Sequence, residues 1–390
     1  MIAAPGGAGS IVRKLVLVAL FLTVSRVQAQ PILELAGPAV ASGPEFERIR
    51  GVRELADGSV LISDRQRNAL LHLASMRSSP VVIGRIGAGP GEYRVAGDLW
   101  PLSGDTSLFT DQYSGRWLLL SGVRIVGTLP ESRPGNLAVR GLTQGATRLG
   151  EVVALRRFGE GNPRVRIESA SDSFVVVRAR ITSDLVDSLA VIAGAGADGF
   201  AVLPERAGRP SYVLPVNPLA AAEHVLMQRD GWMAVVRLSP YRVDWRRPDD
   251  SWIRGAALPR TTRRVGRDEQ CAAIERAFSA SWPCDPSEFK GWPEFVPPVR
   301  WFNPHFEEPS LLSLPQGRVA IARTPLPPDK RRRYDIVDRR GTLVAVLALS
   351  LSEVLVGSSA RHAYVAWTDE DGLQSLRRYD WPVVLRESAP

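Results

Sequence analysis

The chain has 390 residues, of which 45% are hydrophobic, a formal charge of +8 and two cysteines. That hydrophobic share supports a large core and excludes a disordered chain. Two cysteines exclude a disulfide-stapled miniprotein and a multi-cysteine zinc site, and arginines scattered along the chain argue against a nucleic-acid surface, which needs clustered cations.

Residues 1–29 read as a secretory signal peptide. Arg13 and Lys14 form a basic start, Leu15 to Val24 an apolar stretch, and Val27-Gln-Ala29 offers small residues for cleavage before Gln30. The apolar stretch is too short to span a bilayer comfortably, and no later segment is long and apolar enough. The expected product is exported, periplasmic or secreted, in a compartment that permits disulfides. Because Arg13, Lys14 and Arg26 fall in the leader, the mature charge is smaller than the whole-chain value.

Residues 31–36 alternate like a lone strand, and 38–46 read as a polar linker. From Leu55 to Tyr93 the sequence predicts three short strands and a glycine-rich connector. This unit repeats: Ser107-Leu-Phe-Thr-Asp111 follows Val60-Leu-Ile-Ser-Asp64, and Trp117-Leu-Leu-Leu120 follows Leu70-Leu-His-Leu73, both at an offset of 47 residues. A third copy sets Leu314-Pro-Gln-Gly-Arg-Val-Ala-Ile321 against Leu55-Ala-Asp-Gly-Ser-Val-Leu-Ile62. Repeats of roughly 40–50 residues, about four strands each, predict a β-propeller rather than a helical array. The first two blades are placed at about 46–87 and 98–129. Further strands are expected at 152–155, 164–167, 174–177 and 189–192, and a blade at 223–258.

Arg267 to Phe278 breaks the pattern. Its alanines and glutamates, with Cys271, Ile274 and Phe278 on one face, predict a helix. With the Pro- and Trp-rich loop after it, 263–304 reads as an insertion. Blades resume at 308–348 and 353–381, and the last offers only three strands. Residues 31–36 are expected to supply its fourth and hide the open edges. The resulting expectation is an all-β fold: one six-bladed β-propeller domain over 30–385, closed by an N-terminal strand, with one helical insertion.

Gly84-Arg-Ile-Gly-Ala-Gly-Pro-Gly-Glu-Tyr93 resembles the blade connector of the NHL-like six-bladed β-propeller proteins of exported bacterial proteomes. The tail from Tyr334 to Pro382 is similar to that family's closing blades. The resemblance implies the fold; many members have no assigned activity, so it implies little about function.

Chemistry-bearing patterns are sparse. Gly194-Ala-Gly-Ala-Asp-Gly199 matches a dinucleotide fingerprint, but a strand-like Phe200-Ala-Val-Leu-Pro204 follows where a helix is required. Gly87-Ala-Gly-Pro-Gly91 also lacks a following helix and reads as a connector. Asp64 and Asp111, at equivalent strand ends, are expected to cap turns. Lys330-Arg-Arg-Arg333 reads as a solvated loop tip. The four histidines, His72, His224, His305 and His362, lack ligand spacing. His305, Glu307 and Glu308 start a blade and could meet Glu47 or Asp98 in the channel. Calcium-dependent lactonases of six-bladed type use channel carboxylates in this manner, although their ligands do not match here residue by residue. No serine-hydrolase elbow occurs. Cys271 and Cys284 lack a neighbouring histidine, so a disulfide is the plainer reading. Trp282, Trp292, Trp301 and Phe302 crowd the insertion, where Trp292 and Trp301 either pack the helix down or wall a binding surface.

The functional expectation is a non-catalytic binding scaffold. It would be a monomer without cofactor, membrane span or nucleic-acid partner, taking an unknown protein or small ligand on one face of the ring. The alternative is a metal-dependent, lactonase-type hydrolase, and only that reading calls for calcium.

Overall fold

The computed structural model describes residues 30–37, 40–43, 45–111, 116–130, 142–157, 173–181, 186–194, 200–202, 213–215, 217–278, 284–289, 291–300, 309–325 and 327–386. The leader at 1–29 and the strand expected at 164–167 lie outside the described residues.

Two short strands come first, β1 (Ile32–Leu33) and β2 (Val40–Ala41). An antiparallel meander follows, with β3 (Ile49–Glu54), β4 (Val60–Asp64), β5 (Ala69–Leu73) and β6 (Val81–Ile83). The connector holds a small parallel pair, β7 (Arg85–Ile86) and β8 (Glu92–Tyr93). The next meander is β9 (Leu99–Pro101), β10 (Thr106–Asp111), β11 (Arg116–Ser121) and β12 (Arg124–Pro130). Then come β13 (Leu142–Ala146), β14 (Glu151–Arg157), β15 (Ser173–Arg180) and β16 (Val186–Ala193). A two-stranded ribbon of β17 (Phe200–Val202) and β18 (Val213–Pro215) precedes β19 (His224–Met227), β20 (Met233–Leu238), β21 (Tyr241–Arg246) and β22 (Trp252–Ile253). Helix α1 (Arg267–Phe278) occupies the span its sequence marks. Two more groups follow: β23 (Leu311–Ser313), β24 (Val319–Ala322), β25 (Arg331–Val337), β26 (Leu343–Ser350), and then β27 (Glu353–Ser358), β28 (His362–Thr368), β29 (Gln374–Asp380). A short helix, α2 (Val383–Arg386), comes last. Among the described residues no helix is long and apolar enough to cross a membrane.

Side-chain alternation shows how the sheets stack, because successive residues of a strand face opposite sides. Val60 and Ile62 of β4 join a cluster with Val354, Val356 and Tyr364 of the β27–β29 meander. Leu61, between them, joins Phe109, Leu118 and Leu120 of the β9–β12 meander. The strand is therefore buried on both faces, and the same two-sided packing recurs from sheet to sheet. Up-and-down sheets stacked face to face in chain order are the arrangement of a β-propeller.

The first strands of the meanders lie side by side. β3 touches β27 and β9, β13 touches β9 and β19, and β23 touches β19 and β27. Two glycines allow the closest approaches. A Cβ on Gly357 would stand 2.7 Å from the Val52 carbonyl, and one on Gly145, at φ +136°, would clash with the Met227 carbonyl. Gly357 and Val52, and Gly145 and Met227, are the paired residues at these two parallel contacts.

The N-terminal segment departs from expectation. β1 does not join the 353–381 blade; it runs parallel to β26, with Ile32 opposite Val346 and Leu33 opposite Leu347. The strand beside β29 is β2, within the stretch read as a polar linker, with Val40 opposite Arg378. Burial explains the assignment. Leu33 and Leu35 pack into the core shared by β23–β26 and β27–β29, whereas Val40 packs into the core shared by β27–β29 and β3–β6. The segment thus crosses from one sheet to the next. Phe46 then exchanges both backbone hydrogen bonds with Gln374, at 3.1 and 2.7 Å. A second correction concerns the basic run. Arg331, Arg332 and Arg333 are not a loop tip but open β25, paired with Ser350, Leu349 and Ala348.

Gln374 is 4% exposed; its Oε1 accepts the Ile49 N–H at 2.6 Å and its Nε2 donates to Thr368 at 3.0 Å. Gln374→Ala orphans a buried N–H, so it should destabilise by about 1–3 kcal/mol. Urea unfolding would read this, and hydrogen exchange should locate the loss in both 353–380 and 46–54. A change confined to one of those segments would refute the cross-sheet role.

Candidate functional site

The first strands wall a cavity of about 770 Å³. Its charged lining holds one cation more than anions: Arg50, Arg53, Arg229 and Arg361 stand against Glu54, Asp98 and Asp105. Arg50, 7% exposed, pairs with Asp98 at 2.5 Å. Arg361 at the rim pairs with Asp380 at 3.4 Å. Glu54 receives the His362 Nδ1 at 3.0 Å, and His362 Nε2 lies 3.4 Å from Asp380. Burial pushes the Glu54 carboxyl up, but hydrogen bonds from Ser359 and His362 outweigh it and hold the group below its usual range. Burial and the facing Glu54 charge push the Tyr364 hydroxyl far up, so it stays protonated.

Of the candidate site residues that are described, only Asp98 lines this cavity, and it pairs with Arg50. Glu47 is exposed and lies elsewhere, with its backbone N–H donating to Asp64 at 2.9 Å. Trp292 is half-buried against the α1 cluster of Leu219 and Ala273, and its indole donates to the Pro286 carbonyl at 3.1 Å. His305, Glu307, Glu308, Trp301, Trp282 and Phe302 lie outside the described residues, as do residues 195–199 of the fingerprint-like turn. Cys271 and Cys284 are joined, their Cα atoms 5.1 Å apart. The arginines were the missed signal. Arg50 and Arg53 interrupt β3, a strand whose other positions are apolar, glycine or Glu54, and a charge in such a strand needs a partner or a purpose.

Of the groups a calcium site would draw on, His305, Glu307 and Glu308 with Asp98 or Glu47, only Asp98 and Glu47 are among the described residues, and they do not meet. Asp98 is taken by Arg50 and Glu54 by His362, and among the described residues no three His, Cys, Asp or Glu side chains gather as a metal site. Asp64 and Asp111 are fully buried turn clamps. Asp64 accepts the N–H groups of Glu47, Arg48 and Arg67, and Asp111 those of Arg94 and Val95. The glycine-rich connector is no phosphate cradle either, because its own Glu92 carboxylate accepts the Gly89 N–H at 2.7 Å. That bond, helped by Arg85, holds the Glu92 carboxyl below its usual range.

No protein-family profile and no curated protein matches this chain. Among solved structures it is similar to a DUF4221 member from Bacteroides vulgatus, at 8% identity and TM-score 0.46, covering 90% of this chain and 97% of that one. A calcium-binding regucalcin from Agrobacterium tumefaciens gives 11% identity and TM-score 0.42 with the same coverage. A virginiamycin B lyase from Staphylococcus aureus gives 6% and 0.38, covering 87% and 97%. All three scores lie below 0.5, so fold and site are read from this chain's own strands and cavity.

His224 is a core histidine. Its Nε2 meets the Arg300 carbonyl at 2.9 Å, and burial pushes its pKa down to about 4. A histidine held neutral by the fold contributes stability above its unfolded pKa near 6.5, and this is lost as pH falls towards 4. Unfolding free energy should therefore drop between about pH 6.5 and 4, by about 3 kcal/mol at most from this group. His224→Gln should flatten that part of the profile; an unchanged slope would refute the assignment.

Proposed function

We propose that this chain is an exported six-bladed β-propeller, closed by β2 beside β29, which works by binding a ligand in the cavity between its first strands. The blade count is supported by the cyclic order of contacts, from β3 through β9, β13, β19, β23 and β27 back to β3. The binding reading rests on one observation. The cavity takes a wall residue from each of those strands: Val52, Leu99, Ala146, Leu226, Leu312 and Val356. A concave, mostly apolar site of this size with a few convergent polar groups is what a small-molecule site requires. The domain is taken as 30–385. The 263–304 insertion braces the ring through Ala273 and Trp292, with the Cys271–Cys284 bond tying the first half of α1 to the segment at Cys284.

Two measurements test this. Fluorescence titration with 1-anilinonaphthalene-8-sulfonate or its neutral relative N-phenyl-1-naphthylamine should give saturable one-to-one binding of at least one of them. Ser313→Trp or Ser358→Trp should abolish it, because both positions line the cavity outside the packed core. Binding unchanged in folded variants, or no binding at all, would overturn the cavity reading. For export, N-terminal sequencing of the secreted or periplasmic protein should begin at Gln30; an intact Met1 would sink that part.

A further inference from the structure

Four guanidiniums line the cavity, and they divide into two kinds. Arg50 and Arg361 have carboxylate partners, Asp98 and Asp380. Arg53 and Arg229 make no ion pair with any described carboxylate. Arg53 is 6% exposed, and its hydrogen bonds go to uncharged oxygens: the Gly104 carbonyl at 2.6 Å, the Thr106 carbonyl and the Ser107 hydroxyl. Arg229 reaches the same Gly104 carbonyl, at 3.5 Å. Two like charges therefore converge on one neutral oxygen at the cavity wall.

One carboxylate, Asp105, offsets this only in part and pairs with neither guanidinium. Asp105 also lines the cavity, but its Oδ1 is engaged by the Ala56 N–H at 2.9 Å. Burial first, and then the charge of Arg229, pull the Arg53 guanidinium down to about 10, against the opposing pull of Asp105. A guanidinium carries five N–H donors. Three are used by the bonds above, which leaves the Arg53 Nε–H and one Nη2–H without a described acceptor. A bound anion would satisfy these donors, neutralise the repulsion between Arg53 and Arg229, and gain from the low local dielectric.

We infer that the cavity ligand is an organic anion. Its carboxylate, sulfonate or phosphate monoester is held by Arg53 and Arg229 beside Gly104, and its apolar body lies along Leu99, Trp100 and Leu312. This rests on the cavity reading above and adds the charge of the ligand to it. Arg229 works as an electrostatic partner, not as a support: it is exposed, and its one described side-chain bond is the long one to Gly104.

The test compares the two dyes, which share an aromatic body and differ in the sulfonate. The wild-type chain should bind the sulfonate at least about tenfold more tightly than the neutral dye, the difference one charge-assisted contact supplies. Arg229→Gln should remove that preference, weakening the sulfonate at least about tenfold more than the neutral dye. Arg229→Lys should restore part of it, because the charge is kept while the planar fork is lost. The Arg229→Gln chain should also be at least as stable as wild type to urea, since a like-charge repulsion has gone; a purely structural arginine would give the opposite. Equal affinity for the two dyes, or a preference that survives Arg229→Gln, overturns the anion inference and leaves the cavity reading standing. Loss of both dyes in Ser313→Trp with the preference intact in wild type supports both readings together.

Discussion

A sheet that is apolar on both faces must have a neighbour on each side. That requirement shapes this molecule. Leu61 and Leu70 face one adjacent sheet while Val60, Ile62 and Leu71 face the other, and all five are fully or almost fully buried. Hydrophobic burial at roughly 25 cal/mol per Å² rewards each such face only if the next sheet is present. Stability is therefore shared around the stack rather than stored in any one sheet, and the place where late strands meet early ones bears on every other.

That meeting place is stitched by several unlike contacts. β2 pairs with β29, Phe46 and Gln374 exchange backbone bonds, and Gln374 also holds Ile49. On the inner side, Gly357 admits Val52 closely, and His362 spans from β28 to Glu54 on β3. β1 is tied one sheet further back, on β26, so the first dozen described residues pair with two successive meanders. Pairing of this sort leaves fewer exposed edges, which are a liability in any β-protein.

The same geometry creates the cavity and its charge. First strands held side by side cannot fill the space between them, and polar residues on those strands are then forced to face one another. Some find partners, as Arg50 does in Asp98. Arg53 and Arg229 instead share a neutral carbonyl. A buried guanidinium such as Arg53 facing a second like charge is costly, and such a cost fits a place where a ligand supplies the missing charge better than a place built for stability alone.

Local signals were enough for much of the fold. The offset of 47 residues carried the repeat from Val60–Asp64 to Ser107–Asp111, and the equivalent aspartates do the equivalent work, clamping N–H groups sixteen and seventeen residues upstream. The strands at 224–227, 241–246 and 252–253 and helix α1 were legible because period-two and helical patterns are short-range properties. The N-terminal pairing was not legible in this way. Residues 31–36 and 40–41 each offer a short extended segment, and only packing against the Leu347 or the Leu376 side of the stack decides which edge each takes. The site was less legible still. Arg53 and Arg229 stand 176 positions apart, and nothing local marks them as a pair. Their meeting at Gly104 is a consequence of sheets brought together around one cavity, a long-range fact that only the tertiary structure decided.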